Sequence, residues 1–154
     1  MGMSTFTGPI TAGDVLDTTG STVGTLKNVG YAELAQAYSV TQSGTETALA
    51  TTIVIPANST IVAIDVFVTT AWSSATTTYT ISVGTSATAT ELVAATNANA
   101  VGRLALTPGT DATRTGLWSN TGTADIQIYV KSGAHNVTDG AGKVVVRYIQ
   151  AINA

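Results

Sequence analysis

Apolar residues recur at every second position along three stretches of this chain, and this alternation constrains the fold more than any other feature. Side chains of a β-strand point alternately to the two faces of a sheet, so the pattern predicts strands that are buried on one face. The alternating positions are Val62, Ile64, Val66 and Val68, then Tyr79, Ile81 and Val83, and finally Ile126, Ile128 and Val130.

Across the chain, the polar positions that normally hold Lys and Glu hold Thr, Ser, Asn and Ala instead. About a fifth of the chain is threonine and only 10% is charged, whereas an average soluble domain carries roughly 25% charged residues. Threonine is β-branched and fits a pleated strand surface. With so few ionisable groups available for acid–base chemistry, the composition predicts an all-β structural or binding protein and not an enzyme.

Residues 31–154 are predicted to form one β-sandwich domain. Clusters of Gly, Pro, Asn, Asp and Ser separate eight or nine candidate strands, at a spacing of roughly 8–12 residues. This density predicts a single antiparallel β-sandwich that is jelly-roll-like. Two stretches stay open: Tyr31–Tyr38 has a helix-leaning composition, although a strand could begin at Tyr38, and Val144–Val146 suits either a strand covered on both faces or a subunit contact.

Residues 1–30 are predicted to form an extended N-terminal arm. The segment holds six glycines and few large apolar side chains, so it loses much conformational entropy on ordering and buries little in return. It is either a flexible terminus or a strap that becomes ordered against a neighbouring subunit. The residues available for such a partner contact are Phe6, Ile10, Val15, Leu16, Val23 and Leu26.

Several classes of function are disfavoured by what the chain lacks. Its net charge is -3 and its six basic residues are scattered, which argues against nucleic acid as a partner. No apolar stretch is long enough to cross a membrane as a helix. There is no cysteine and one histidine, His135, and the carboxylates are dispersed except for Asp14 and Asp17. We therefore predict no catalytic residue, no cofactor and no metal site.

A few residues invite local predictions. Trp72 and Trp118 lie near predicted strand ends, where they either pack in the core or form a surface contact. An ion pair among Arg103, Asp111 and Arg114 is expected to rigidify the turn at 107–113, and Asp65, inside an apolar strand, is expected to face solvent or a partner. The stretch Gly140-Ala141-Gly142-Lys143 lacks the full phosphate-loop pattern, so we interpret Asp139–Gly142 as a tight hairpin connection whose glycines supply positive φ.

Four segments together resemble small virion proteins of tailed bacteriophages, particularly marine and cyanobacterial ones. They are Phe6–Gly13, Asn28–Tyr31, Ile53–Ser59 and Thr107–Arg114. The type that they resemble most is the head decoration, or capsid cement, protein.

The resemblance implies a β-sandwich that assembles on the outside of a capsid, often as a homotrimer. Its partners would be the major capsid protein and further copies of itself, and its location would be the virion. The alternative that the resemblance leaves open is a fibre, spike or tail module that adsorbs to glycan on the host surface. In that case Trp72, Trp118, Tyr79 or Tyr129 would stack on sugar.

Overall fold

The computed structural model describes residues 31–73, 79–133 and 139–151, which form an all-β sandwich of two antiparallel sheets with one short helix. The predicted all-β sandwich is therefore confirmed. The strands are β1 (Tyr31–Thr41), β2 (Leu49–Ile55), β3 (Ser59–Thr70), β4 (Thr80–Gly84), β5 (Val93–Asn97), β6 (Gly102–Leu106), β7 (Ile126–Gly133) and β8 (Ala141–Ala151). The predicted arm, with its six partner-binding residues, and His135 lie outside the described residues.

Each sheet contains four strands. One sheet has the order β1-β8-β3-β6, and the other has the order β2-β7-β4-β5. Strand β1 is thus paired with β8, β2 with β7, β3 with β6 and β4 with β5. Strands that are distant in the sequence are therefore neighbours in both sheets.

The core between the sheets is built from the predicted alternation. Along β4 and β7 the inward positions hold aliphatic residues except for the buried Ser132, while the outward positions are polar or glycine. Burial of each such side chain contributes about 1.5–3 kcal/mol. The largest fully buried side chains include Ile53, Ile55, Ile64, Val66, Ile81, Val83, Ile128, Val144 and Val146.

The alternation on β3 is interrupted at one position. The pairing of β3 with β8 shifts register between Ile61 and Ala63, so Val62 is the extra residue of a β-bulge. Ile61 and Ile64 are buried, and Val62 is 40% exposed. The prediction that Val62 faces the core is therefore wrong. The extra residue of the bulge shifts the inward-facing positions from Ile61 to Ile64, and this leaves Val62 on the outer face.

Strand β1 covers all of residues 31–41, so the helical interpretation of Tyr31–Tyr38 is wrong. The helix-leaning composition is overridden because β1 is paired along β8 at the edge of its sheet. At this edge the Gln36 amide accepts a hydrogen bond from the Val54 N–H (3.1 Å) and donates to the Val54 carbonyl (2.6 Å). Gln36 thereby joins the outermost strands of the two sheets.

A short helix, α1 (Ala112–Ser119), follows β6 and was not predicted. Asp111 caps its N-terminus by accepting a hydrogen bond from the Arg114 N–H at 2.9 Å. The Arg114 side chain donates to the carbonyl of Thr90, and the Trp118 indole donates to the carbonyl of Leu92. Both bonds hold α1 against the connection between β4 and β5.

The two glycines near the start of β8 serve close packing. A Cβ atom at Gly142 would lie 2.8 Å from the carbonyl oxygen of Phe67, and one at Gly140 would lie 2.8 Å from the Trp72 ring. Positive φ is found at other glycines of the described residues, such as Gly109, and not at these two. The prediction of a hairpin connection with positive φ at Asp139–Gly142 is wrong, because β8 already begins at Ala141 and neither glycine has a positive φ. Glycine is needed at both positions because other segments of the protein approach too closely for a side chain.

Candidate interaction surface

Three residues that are far apart in the sequence form a row on the outer face of the β1-β8-β3-β6 sheet. In the register of the sheet, Phe67 on β3 pairs with Arg103 on β6 and with Lys143 on β8. Register partners in antiparallel strands point to the same face. Phe67 is 43% exposed, and both cations are also exposed. We call Lys143, Phe67 and Arg103 the basic row.

Asp65 lies next to the basic row and holds the side chain of Arg103, which is one end of the row, in place. Arg103 donates to both carboxylate oxygens of Asp65, through Nε at 3.0 Å and through one terminal nitrogen at 3.1 Å. The Asp65 side chain is only 7% exposed, whereas that of Arg103 is 55% exposed. The partner of Asp65 is thus found within the sheet, and the remaining N–H groups of Arg103 stay available on the surface.

This geometry corrects part of the expected ion pairing. Arg114 lies 3.8 Å from Asp111, as expected for the turn after β6. Arg103 does not take part in that turn, because the pairing of β3 with β6 brings it to Asp65 instead.

The same outer face has a net positive charge although the whole protein has a net charge of -3. Besides Arg103 and Lys143 it carries Arg147, which forms a 3.1 Å ion pair with Glu33 on β1. These three cations are balanced by only two carboxylates, those of Asp65 and Glu33. Within the described part of the chain Lys143 has no ion pair, so it is the cation of the row that remains free to bind a partner.

Trp72 is not available as a surface contact. It is 2% exposed and belongs to the hydrophobic core. Its position is set by Gln42, a buried glutamine whose amide oxygen accepts from the Ser73 and Gly140 N–H groups, both at 3.1 Å. Three connections at one end of the sandwich therefore meet at Gln42 and enclose the ring. The prediction of a surface role is wrong for Trp72, because these connections cover the end of its strand.

A small cavity of about 20 Å³ adjoins Trp72 at this end of the sandwich. Ser43, Thr47 and Ser132 supply polar groups to its wall. Among the residues that the structure describes, the indole nitrogen of Trp72 has no hydrogen-bond partner. A cavity of this size holds about one water molecule, and it is too small for an organic ligand.

The other aromatic candidates are only partly accessible. Trp118 is half-buried, and its indole N–H is already used by Leu92. Tyr79 is half-buried and packs against the core. Tyr129 is half-buried on the outer face of the β2-β7-β4-β5 sheet, where its register partners are Ala50 and Gly84. Of these residues Tyr129 is the one placed on a sheet face.

A glutamate organises the connection between β4 and β5. The Glu91 carboxylate accepts hydrogen bonds from the hydroxyls of Ser86 and Thr88 and from the N–H groups of Thr85 and Thr90. Burial alone would raise the pKa of Glu91, but these bonds stabilise the charged form and lower its pKa to about 2. Glu91 is thus a structural anion that holds the loop on which α1 rests.

The sequence carries one sign of the basic row. Phe67 occupies an outward position of β3, between the buried Val66 and Val68. A large apolar residue at a position where the pattern calls for a polar one is a sign of a contact surface. The roles of Arg103 and Lys143 could not be derived in the same way, because their proximity to Phe67 depends on long-range strand pairing.

Within residues 31–73, 79–133 and 139–151, no group of three or more His, Asp or Glu side chains is arranged to hold a metal ion. In the same ranges, no helix has the length and apolar character needed to cross a bilayer. No protein-family model matches the sequence, and no curated protein or solved structure is significantly similar to it.

Proposed function

We propose that this chain is a structural virion protein that binds the outside of a phage capsid and stabilises the shell lattice. The observation that carries the proposal is the strand order of the two sheets, β1-β8-β3-β6 and β2-β7-β4-β5. Pairing of the first strand with the last, the second with the seventh and so on supports a jelly roll. This double-sheet arrangement is used by viral capsid domains and by lectins.

The surface of the sandwich suits binding better than catalysis. One concave site of the described structure is a shallow depression lined by residues 97–104. Its lining includes Arg103 but no carboxylate, histidine or cysteine, so a general acid paired with a base is missing there. A rigid sheet surface with scattered apolar residues, by contrast, is what a lattice-binding protein needs.

We propose that the capsid contact combines the arm, residues 1–30, with the edge formed by β1 and β2. Leu34 and Val54 are exposed on these two strands, each of which is the outermost strand of its sheet. Gln36 bonds the backbone of Val54 and holds the two strands together. The edge thus supplies exposed apolar residues on paired strands, and the arm would supply the six apolar residues named for it in the sequence.

A protein of this kind acts by mass action. If it binds the assembled lattice and not the free capsid subunit, its binding energy adds to the stability of the shell. Assembly into a homotrimer would multiply that effect, because three linked contacts raise the effective concentration of each one. This mechanism requires no chemical step from the sandwich.

Deletion of residues 1–30 tests the assignment of the arm. Full-length and shortened protein are each mixed with expanded capsids, and the bound fraction is measured by co-sedimentation. We expect the shortened protein to keep its β-type circular dichroism spectrum and to lose binding. Unchanged occupancy of the capsids by the shortened protein would contradict the assignment.

Glycan adsorption by a fibre, spike or tail module is the second candidate function. The observation in its favour is the exposed ring of Phe67 between two cations, because aromatic faces stack on sugars and cations bind anionic ones. The burial of Trp72 removes one of the four aromatic residues first considered for this role. A glycan array separates the two functions, since a capsid-binding protein should give no specific signal.

A further inference from the structure

Half of the basic residues of this chain lie on one sheet face. The sequence holds six Lys and Arg residues, and three of them, Arg103, Lys143 and Arg147, lie on the outer face of the β1-β8-β3-β6 sheet. The protein has a net charge of -3, so this face has the opposite sign to the protein as a whole. A partner that is electrostatically complementary to this face is therefore acidic.

The surface beside the basic row carries no bulky exposed side chain. The next register row along the sheet consists of Val145 on β8, Asp65 on β3 and Ala105 on β6. Val145 is half-buried, and the Asp65 carboxylate is bound by Arg103. Phe67, which is 43% exposed, is thus the one large apolar side chain of these two rows that is open to a partner.

The basic row also has a defined width. Neighbouring strands in a sheet lie about 4.8 Å apart, and Lys143 and Arg103 lie on the two strands that flank Phe67, so their backbone positions are about 10 Å apart. Asp65 orients the Arg103 guanidinium through two of its five donors, which leaves three for a partner. Because Arg103 is held in place before binding, little side-chain entropy is lost at this end of the row.

We propose that the basic row is a second capsid contact, which binds an acidic surface segment of the major capsid protein. Lys143 binds one carboxylate of that segment and the free N–H groups of Arg103 bind another, while an apolar side chain between the two carboxylates packs on Phe67. This inference rests on the proposed capsid-binding function. It extends the proposed contact surface from β1 across the outer face of the same sheet.

The composition of the row favours a protein partner over a nucleic acid or a sugar. Arginine and aromatic residues are enriched at the centres of protein interfaces. Two cations neutralise too few phosphates to hold a nucleic acid at physiological salt. A single acidic sugar carries its charge on one side of its ring, whereas the row has a cation on each side of Phe67.

Carbodiimide coupling on expanded capsids tests the predicted contact directly. The reagent joins a lysine amine to a carboxylate that it contacts, without a spacer between them. Peptide mass spectrometry of the treated particles should identify an amide between Lys143 and an aspartate or glutamate of the major capsid protein. Lys143→Arg should lose this cross-link and keep binding, because it removes the amine and retains the charge.

Co-sedimentation with the same capsids measures the contribution of the row to affinity. We expect Lys143→Gln to raise the Kd about tenfold, equivalent to about 1.4 kcal/mol, and Phe67→Thr to raise it at least as much. Added salt should weaken binding of the wild type more than binding of Lys143→Gln. Lys131→Gln is the matched control, since Lys131 lies on β7 in the other sheet and its loss removes the same charge. The control should leave the Kd unchanged.

The outcomes separate this inference from the function on which it rests. If the wild type binds capsids and Lys143→Gln binds equally well, or if Lys131→Gln weakens binding to the same extent, the row is not the contact and the inference is overturned alone. Absence of wild-type binding would overturn the capsid-binding function as well. A specific signal on an array of acidic glycans that Lys143→Gln abolishes would assign the row to sugar and overturn the protein contact.

Discussion

Asp65 on β3 and Arg103 on β6 lie diagonally across the strand pair, and the guanidinium of Arg103 binds both oxygens of the carboxylate. The aspartate is nearly buried although it lies on the outer face of its sheet. The pair fixes the orientation of Arg103 at one end of the basic row. This ion pair therefore connects the packing of the sheet with the proposed binding surface.

The first prediction concerns this pair. Arg103→Gln leaves the Asp65 carboxylate without its main partner, so we expect the free energy of unfolding to fall by about 1–2 kcal/mol. The loss is smaller than for a fully buried pair because the arginine is largely exposed. Urea unfolding of the single variants and of the Asp65→Asn/Arg103→Gln double variant measures the coupling. Strictly additive losses would show that the two side chains do not interact.

The second prediction concerns the pH dependence that comes from Glu91. Its pKa is about 2 in the folded protein against an ordinary value of 4.5. The group therefore contributes stability above about pH 4.5, and this contribution is lost as the pH falls towards 2. Because Glu91 is partly solvated, we expect Glu91→Gln to cost about 1 kcal/mol at neutral pH and less at pH 2.

Urea unfolding at pH 7 and at pH 2.5 checks this expectation. Glu33→Gln serves as the control, because it also removes one carboxylate from an exposed part of the sandwich. If wild type and Glu91→Gln differ by the same amount at both pH values, the hydrogen bonds to the Glu91 carboxylate do not have the role assigned to them.

The third prediction concerns the buried amide of Gln42. Gln42→Leu preserves most of the volume but leaves the N–H groups of Ser73 and Gly140 without an acceptor. Unsatisfied buried groups cost about 1–3 kcal/mol each, so we expect a loss of about 2–4 kcal/mol in thermal or urea unfolding. Gln127→Leu is the comparison, since that exposed amide makes a single bond to Thr51 and its loss should cost under about 1 kcal/mol.

The fourth prediction separates two glycines. Gly142→Ala would place a methyl group against the Phe67 carbonyl, so we expect a loss of about 1–3 kcal/mol. Gly116 lies in α1, where an added Cβ meets nothing within 4 Å. Gly116→Ala should therefore stabilise the protein by up to about 1 kcal/mol through helix propensity. Melting temperatures that shift in the same direction for both variants would contradict the packing described for β8.

The strands could be predicted because their information is local. Ile81 with Val83 and Ile128 with Val130 alternate with polar neighbours, and this pattern alone decides which face is buried. The bulge at Val62 could not be predicted in this way. An extra residue is visible only relative to the partner strand, and that strand, β8, lies far along the sequence.

Helix α1 lacked a comparable local signal. Its residues include Gly116 and several residues of low helix propensity, and none of its side chains is fully buried. Its formation depends on the Asp111 cap and on the bonds of Arg114 and Trp118 to the neighbouring loop. The cap was visible in the sequence, whereas the two tertiary bonds were not.

Likewise, only part of the candidate surface could be predicted from the sequence. Phe67 at an outward position was a readable sign, but its flanking by Lys143 and Arg103 follows from the sheet register. Trp72 shows the same limit, because the sequence places a tryptophan near a strand end without deciding between core and surface, and the structure buries it. Loops that close over an end of the sandwich cannot be inferred from the strand pattern itself.

Electron cryomicroscopy of the intact particle tests the central claim most directly. The account predicts density for two packed four-stranded sheets on the outer surface of the head, repeated at equivalent positions of the lattice. Density for this chain confined to the tail or to a fibre, or its absence from the particle, would contradict the proposed capsid-binding role.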